Sequence, residues 1–210
     1  LPEEMSGSSL YGVELDSITG RIAKQLYQKA NITIDGFEKT DFPDDFFDVV
    51  IGNVPFGNYQ IPDRKYDRHH FQIHDYFIAK SLDQVRPGGV VAVITSSGTM
   101  DKQSTATREY IAQRADLVGA IRLPNTAFKR NAGTDVVADI LFLQKRDHAP
   151  IERPDWVDLD TTSDGFTMNK YFVDHPEMVL GSLAMESTQY GKDALTVNPV
   201  LETDLSEQLH

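Results

Sequence analysis

The run Val90-Val91-Ala92-Val93-Ile94 constrains this chain more than any other feature. It is unbroken by polar residues, β-branched at four of its five positions, and follows the turn signal Pro87-Gly88-Gly89. Such a run reads as a strand covered on both faces, as in a parallel sheet. Strand-like and helix-like segments alternate around it. Leu10 to Glu14 reads as a short strand ending in an acid, after which Ser17 can cap a helix. Ile18, Ile22 and Leu26 then recur every four residues as one apolar helical face. Ile32-Thr33-Ile34 is a strand broken by Gly36, and Phe47 to Gly52 is a more apolar one. Residues 58–70 are polar and irregular. Phe71 to Val85 reads as a helix with Phe77, Ile78, Leu82 and Val85 inward. Residues 104–114 give another helix, and Leu117–Leu123 and Val136–Leu143 two more strands. This order predicts an α/β fold, a mostly parallel sheet with helices on both faces.

Ligands of such sheets bind beyond the carboxyl ends of the strands. Composition limits which ligands these are. The 210 residues are 40% hydrophobic and 25% charged, enough for one or two domains with a real core. The absence of cysteine excludes a disulfide scaffold, a zinc finger, a thiol nucleophile and an iron–sulfur cluster. No apolar run reaches the ~20 residues of a membrane span and no basic-then-apolar leader is present, so a soluble, cytoplasmic protein is expected. The net charge of −12 weighs against nucleic acid when taken whole. It is uneven, however: −6 over residues 1–57, +3 over 58–150 and −9 over 151–210. The periodicity fades after His148-Ala149-Pro150, which sets a boundary there. The chain begins at Leu1 rather than Met, and its first nine residues are loop-like, as in a fragment.

Each strand end has more than one reading. Glu14 either accepts hydrogen bonds from ribose hydroxyls or is a solvated acid, and Asp16 either joins it or favours the helix start. Phe37 and Glu38 either flank an adenine or form a turn with one aromatic folded inward. Gly52-Asn53-Val54-Pro55-Phe56-Gly57 is the sharpest signal: a buried strand runs into a loop stiffened by Pro55. Asn53 offers an amide oxygen and Phe56 a flat face, although strand-to-loop turns also favour Asn, Pro and Gly. Arg64, Lys65, Arg68 and three histidines crowd the next stretch, as a mobile phosphate-gripping loop or a solvated one. His70 and His74 have helical i, i+4 spacing, but with no glutamate between them and no cysteine no metal is expected. Thr95, Ser96 and Ser97 lack a nucleophile elbow, so their hydroxyls cap a helix or line a pocket. Lys129 and Arg130 lie in a loop that either touches a nucleic-acid backbone or is a plain surface hairpin.

Taken as an ordered set, these residues resemble the S-adenosylmethionine-dependent amino-group DNA methyltransferases that make N6-methyladenine. That class carries Asn-Pro-Pro-Phe or Asn-Pro-Pro-Tyr at the catalytic strand end. The chain is most similar to the branch of large adenine-specific methylases fused to helicase-like regions on mobile elements, which carry Asn-Val-Pro-Phe-Gly, here Asn53 to Gly57. The resemblance runs over residues 1–185. It includes Tyr11 to Asp16, Gly36 to Glu38, His74 to Phe77, Arg86 to Gly89, Thr95 to Asp101, Arg122 to Asn125, Ala132 to Thr134 and Tyr171 to Met178.

The resemblance implies a Rossmann-like class I methyltransferase fold, with residues 1–148 as a partial catalytic core and 149–210 as an acidic extension or linker. It implies S-adenosylmethionine as cofactor, with Glu14 and Asp16 at its ribose and Phe37 and Glu38 at its adenine. Asn53, Val54, Pro55 and Phe56 would be catalytic, taking an adenine flipped from double-stranded DNA. Arg64, Lys65, Arg68, Lys129 and Arg130 would contact that DNA. The expected setting is restriction–modification within a larger multidomain protein. The alternatives are a methyltransferase of protein glutamine or RNA, and a non-catalytic DNA-recognition module. There are two departures. Val54 replaces the first proline of the common motif and is expected to loosen the loop. No Gly-rich strand-to-helix turn precedes Glu14; in this fold it would lie just before Leu1, so the fold is expected to be amino-terminally incomplete and these 210 residues to bind the cofactor weakly, if at all.

Overall fold

Two parallel strand–helix–strand units make up the amino-terminal half of the computed structural model, which describes residues 3–129, 135–187, 193–200 and 205–209. In the first, β1 (Tyr11–Glu14) leads through α1 (Ser17–Leu26) to β2 (Asn31–Ile34), in register from Tyr11↔Asn31 to Glu14↔Ile34. In the second, β3 (Phe47–Asn53) leads through α2 (Ile73–Gln84) to β4 (Val85–Ser96), with Asn53 opposite Ile94. Asp16, not Ser17, caps α1: its Oδ1 accepts the N–H groups of Ile18 (3.1 Å) and Thr19 (2.7 Å). Both residue types cap helices, and the longer reach of the Asp16 carboxylate covers two otherwise unpaired amides.

After the short helices α3 (Gly98–Asp101) and α4 (Ala106–Ala112) come β5 (Ala115–Leu123) and β6 (Ala138–Lys145). They complete a sheet of order β3-β4-β6-β5. The sheet is mixed, because β6 pairs antiparallel with both of its neighbours, β5 and β4, beside the parallel β3–β4 pair. Val91 and Val93 of β4 are buried with Ile78 and Leu82 of α2, whereas Val90, Ala92 and Ile94 are half-buried. The apolar run is thus sealed on the α2 face and only partly covered on the other. Ile51 of β3 is 74% exposed. Gly89 is obligatory: a Cβ there would lie 2.7 Å from the Asp48 carbonyl oxygen, so only glycine lets β4 pass this close to β3.

Residues beyond the proline-marked boundary pack into the same core. The hairpin of β7 (Leu159–Thr161) and β8 (Thr167–Asn169) and the short helix α5 (Lys170–Asp174) bury Met168 and Phe172 against it. Arg122 is fully buried between Asp139 (2.8 Å) and Asp101 (2.7 Å), with its guanidinium over the Phe172 ring. The pair β9 (Ser182–Ser187) and β10 (Asp193–Asn198) follows. No helix among the described residues is long and apolar enough to cross a membrane.

Candidate active site

The Asn53–Gly57 loop leaves the sheet at the carboxyl end of β3, and its first step is tightly held. The Val54 N–H donates to the Ile94 carbonyl (3.0 Å), and the Val54 side chain is buried in the main core. A proline at 54 has no N–H to give. Val54 therefore fastens the loop, which corrects the expectation that it loosens it. Asn53 stands exposed at the strand end, Pro55 is exposed and Phe56 is half-buried against the core. Gly57 is crowded by the Tyr59 ring, and the Ile73 N–H closes the loop on the Tyr59 carbonyl (2.9 Å).

The acids at the earlier strand ends differ in what remains free. Glu14 is half-buried, and its Oε1 accepts the Asp16 N–H at 2.8 Å. Among the described residues Oε2 has no partner and is open to a ligand hydroxyl. The Asp16 carboxyl is spent on the helix cap, and the Thr19 N–H holds it below the ordinary aspartate value. Phe37 sits in a 3-10 turn, Phe37–Lys39, tilted against Phe77 at 4.8 Å, with the Lys80 ammonium 5.2 Å from its ring centre. The Glu38 carboxylate folds back over Gly36 into the space a Cβ would need. A polar cleft of about 280 Å³ opens beside Glu38, lined also by Thr40, Asp63, Lys65, Lys80 and Gln84. It lies apart from Asn53.

The basic stretch is anchored. Tyr66 is buried and donates its hydroxyl to Asp83 (2.7 Å); Tyr76 donates to Asp63 (2.8 Å), which also takes Lys80 (3.3 Å). Burial and those carboxylates push both phenols well above the ordinary tyrosine value. Burial alone would raise Asp63, but the Tyr76 hydroxyl, the Lys65 N–H and the Lys80 ammonium together hold it below the ordinary value. His69 stacks on Phe71 at 5.1 Å, and both meet Tyr110 edge-on. A loop pinned by this many buried rings is not freely mobile. Aromatic residues scattered at Tyr66, Phe71, Tyr76 and Tyr110 were the signal for that anchoring, but with no shared period to expose it.

Arg64 and Arg68 are exposed, and Arg68 donates to His69 (3.1 Å). Lys65 is instead paired with Asp44 (2.9 Å) and Asp83 (3.0 Å), and Lys129 with Asp135 (3.2 Å). Arg130 lies outside the described residues. His70 is exposed in a left-handed turn (φ 53°) before α2 begins, while His74 is buried inside that helix, so the two share no helical face. No group of three metal-ligating side chains occurs among the described residues.

Residues 12–128 match the family model described as Eco57I restriction-modification methylase. The chain belongs to that family. A curated relative, defense against restriction protein B of Escherichia phage P1, is 32% identical over 145 residues, 66% of this chain but only 6% of that protein. A class I S-adenosylmethionine-dependent methyltransferase structure from Listeria monocytogenes superposes with a TM-score of 0.55 at 24% identity, over 71% of this chain and 50% of that one. A type I restriction enzyme modification subunit from Vibrio vulnificus gives 0.56 at 18% identity, over 91% and 47%. The α/β architecture of this chain is the class I methyltransferase fold.

Proposed function

We propose that this chain carries the transfer of a methyl group from S-adenosylmethionine to the N6 amine of adenine in DNA, as part of a larger modification protein working in the cytoplasm. The observation that carries the reading is the Asn53–Phe56 loop: an exposed amide oxygen and a flat ring held at the carboxyl end of β3 by the Val54–Ile94 hydrogen bond. The residues present suit the adenosine half of the cofactor. Glu14 has a free carboxylate oxygen for ribose hydroxyls, and Phe37 and Glu38 form an aromatic–acid pair for an adenine edge. When bound, the cofactor supplies an electrophilic methyl group on a sulfonium.

The chain's own residues do the rest. The adenine amine is conjugated with its ring and is a poor nucleophile. Asn53 Oδ1 and a loop carbonyl accept its two hydrogens, which favours a pyramidal nitrogen whose lone pair faces the methyl. Phe56 stacks on the flipped base. Extrusion costs a few kcal/mol, and an aromatic stack worth about 1–3 kcal/mol offsets it. Arg64 and Arg68 have no acidic partner among the described residues and would meet phosphates, whereas Lys65 and Lys129 would first have to leave their aspartates. Tritiated-methyl transfer to DNA, RNA and protein, with the longest polypeptide that carries these residues, tests the assignment. Transfer to adenine in DNA that Asn53→Ala abolishes supports it. Equal activity in Asn53→Ala removes the role of Asn53, and transfer to RNA or protein alone, or DNA binding without transfer, overturns the substrate.

A further inference from the structure

Both ends of the loop that starts at Asn53 run into one buried polar cluster. At the start, the Val54 N–H is held by Ile94. The next residue of β4, Thr95, is fully buried, and its hydroxyl lies 3.0 Å from that of Thr99. Thr99 donates to Asp75 Oδ1 at 3.1 Å. Asp75 is 1% exposed and sits in the first turn of α2, the turn whose Ile73 N–H closes the loop on Tyr59. Its Oδ2 takes the Lys102 ammonium and the Thr107 hydroxyl (3.3 Å). His74 beside it is 2% exposed, with neither ring nitrogen hydrogen-bonded among the described residues and Nε2 3.7 Å from Asp75 Oδ1.

Burying a carboxylate this deeply costs several kcal/mol per ion, and a buried ion pair is weak evidence for stability, since apolar side chains could fill the same volume. What apolar packing cannot do is fix two backbone segments at hydrogen-bond precision. We propose that Asp75 is a positioning residue: through Thr99 it ties the end of β4 to the first turn of α2, sets the span between the two ends of the loop, and so places Asn53 over its target. This rests on the methyltransferase reading above, but its structural half does not. The test compares wild type, Asp75→Asn and Thr99→Val in the longest polypeptide carrying these residues. It uses hydrogen exchange of the peptide covering residues 52–60 and the steady-state kinetics of methyl transfer. Asp75→Asn should speed exchange there by about tenfold or more, because local opening sets exchange rates. It should lower kcat by about 10²-fold, the scale of a 1 Å misplacement, with KM for the cofactor unchanged. Thr99→Val removes the same bridge without touching a charge. It should move both readouts in the same direction by less, and it stands in if Asp75→Asn fails to fold. Wild-type exchange over 52–60 in a folded variant, or a kcat that falls only in proportion to lost folded protein, overturns the proposal. If wild type transfers no methyl group to any substrate, the methyltransferase reading falls and the exchange measurement alone decides the tie.

Discussion

The two strand–helix–strand units share one topology and differ in what they bury. α1 carries the cleaner apolar stripe, yet Ile18, Ile22 and Leu26 are 61%, 54% and 70% exposed, and Gly20 is its one buried residue. α2 is more mixed in sequence and is buried along nearly its whole length, including His74, Asp75, Lys80, Ser81 and Gln84. A helix buried on all sides has no solvent face to display, so its stripe is blurred by polar residues that find internal partners. Lys80 does so on the Glu38 carbonyl and Asp63. Periodicity therefore reports which face of a helix is apolar, not whether anything covers it.

The largest effect expected from that contrast is at Leu82, which is fully buried beneath β4. Leu82→Ala should cost about 2–5 kcal/mol by urea denaturation, the range for a Leu deletion in a packed core. A loss below 1 kcal/mol would mean that the α2 face is looser than the packing indicates.

Acid should act on the same side of the molecule. Burial lowers His74 below the ordinary histidine value despite Asp75, and burial with nearby Arg68 lowers His69. For a histidine depressed in the folded state, the unfolded chain binds more protons once pH falls below about 6.5. The neutral rings thus contribute stability that is fully present above that pH and lost as pH drops through the folded values. The urea midpoint of wild type should fall between pH 7.5 and 5.5, and His74→Gln should flatten that fall. An unchanged slope in His74→Gln would assign the acid sensitivity elsewhere.

A smaller loss is expected where the Asn53–Gly57 loop begins. Val54→Pro restores the common motif but removes the donor to Ile94, leaving a carbonyl without its partner, and should cost about 1 kcal/mol. Equal or higher stability in Val54→Pro would mean that the stiffness of the second proline outweighs the lost hydrogen bond.

The strand ends are legible because turn formers punctuate β-branched runs: Glu14 closes β1, Gly36 follows the end of β2 and Asn53 closes β3. What was illegible depended on partners distant in sequence. Lys65 looks like a phosphate contact until Asp44 and Asp83 are brought to it. Val54 looks like a weakened motif until the register sets it beside Ile94. The Asp75 cluster joins residues 24 to 32 positions apart, with no local pattern to mark it. The direction of β6 was hidden as well, since an alternating pattern does not say which neighbour a strand joins.

The smallest effect is also the one that most sharply divides the two units. Ile22 lies at the centre of the α1 stripe and is more than half exposed. Its removal from water on folding is partial, so truncation gives up little transfer energy and leaves no cavity. Alanine is also the better helix former, by a few tenths of a kcal/mol. Ile22→Ala should therefore change the stability of this chain by no more than about 0.5 kcal/mol, the range for surface positions. Measured beside Leu82→Ala, the pair gives a ratio rather than two isolated losses. If Ile22→Ala instead costs as much as a core deletion, the α1 stripe is covered in solution and the contrast between the two units disappears.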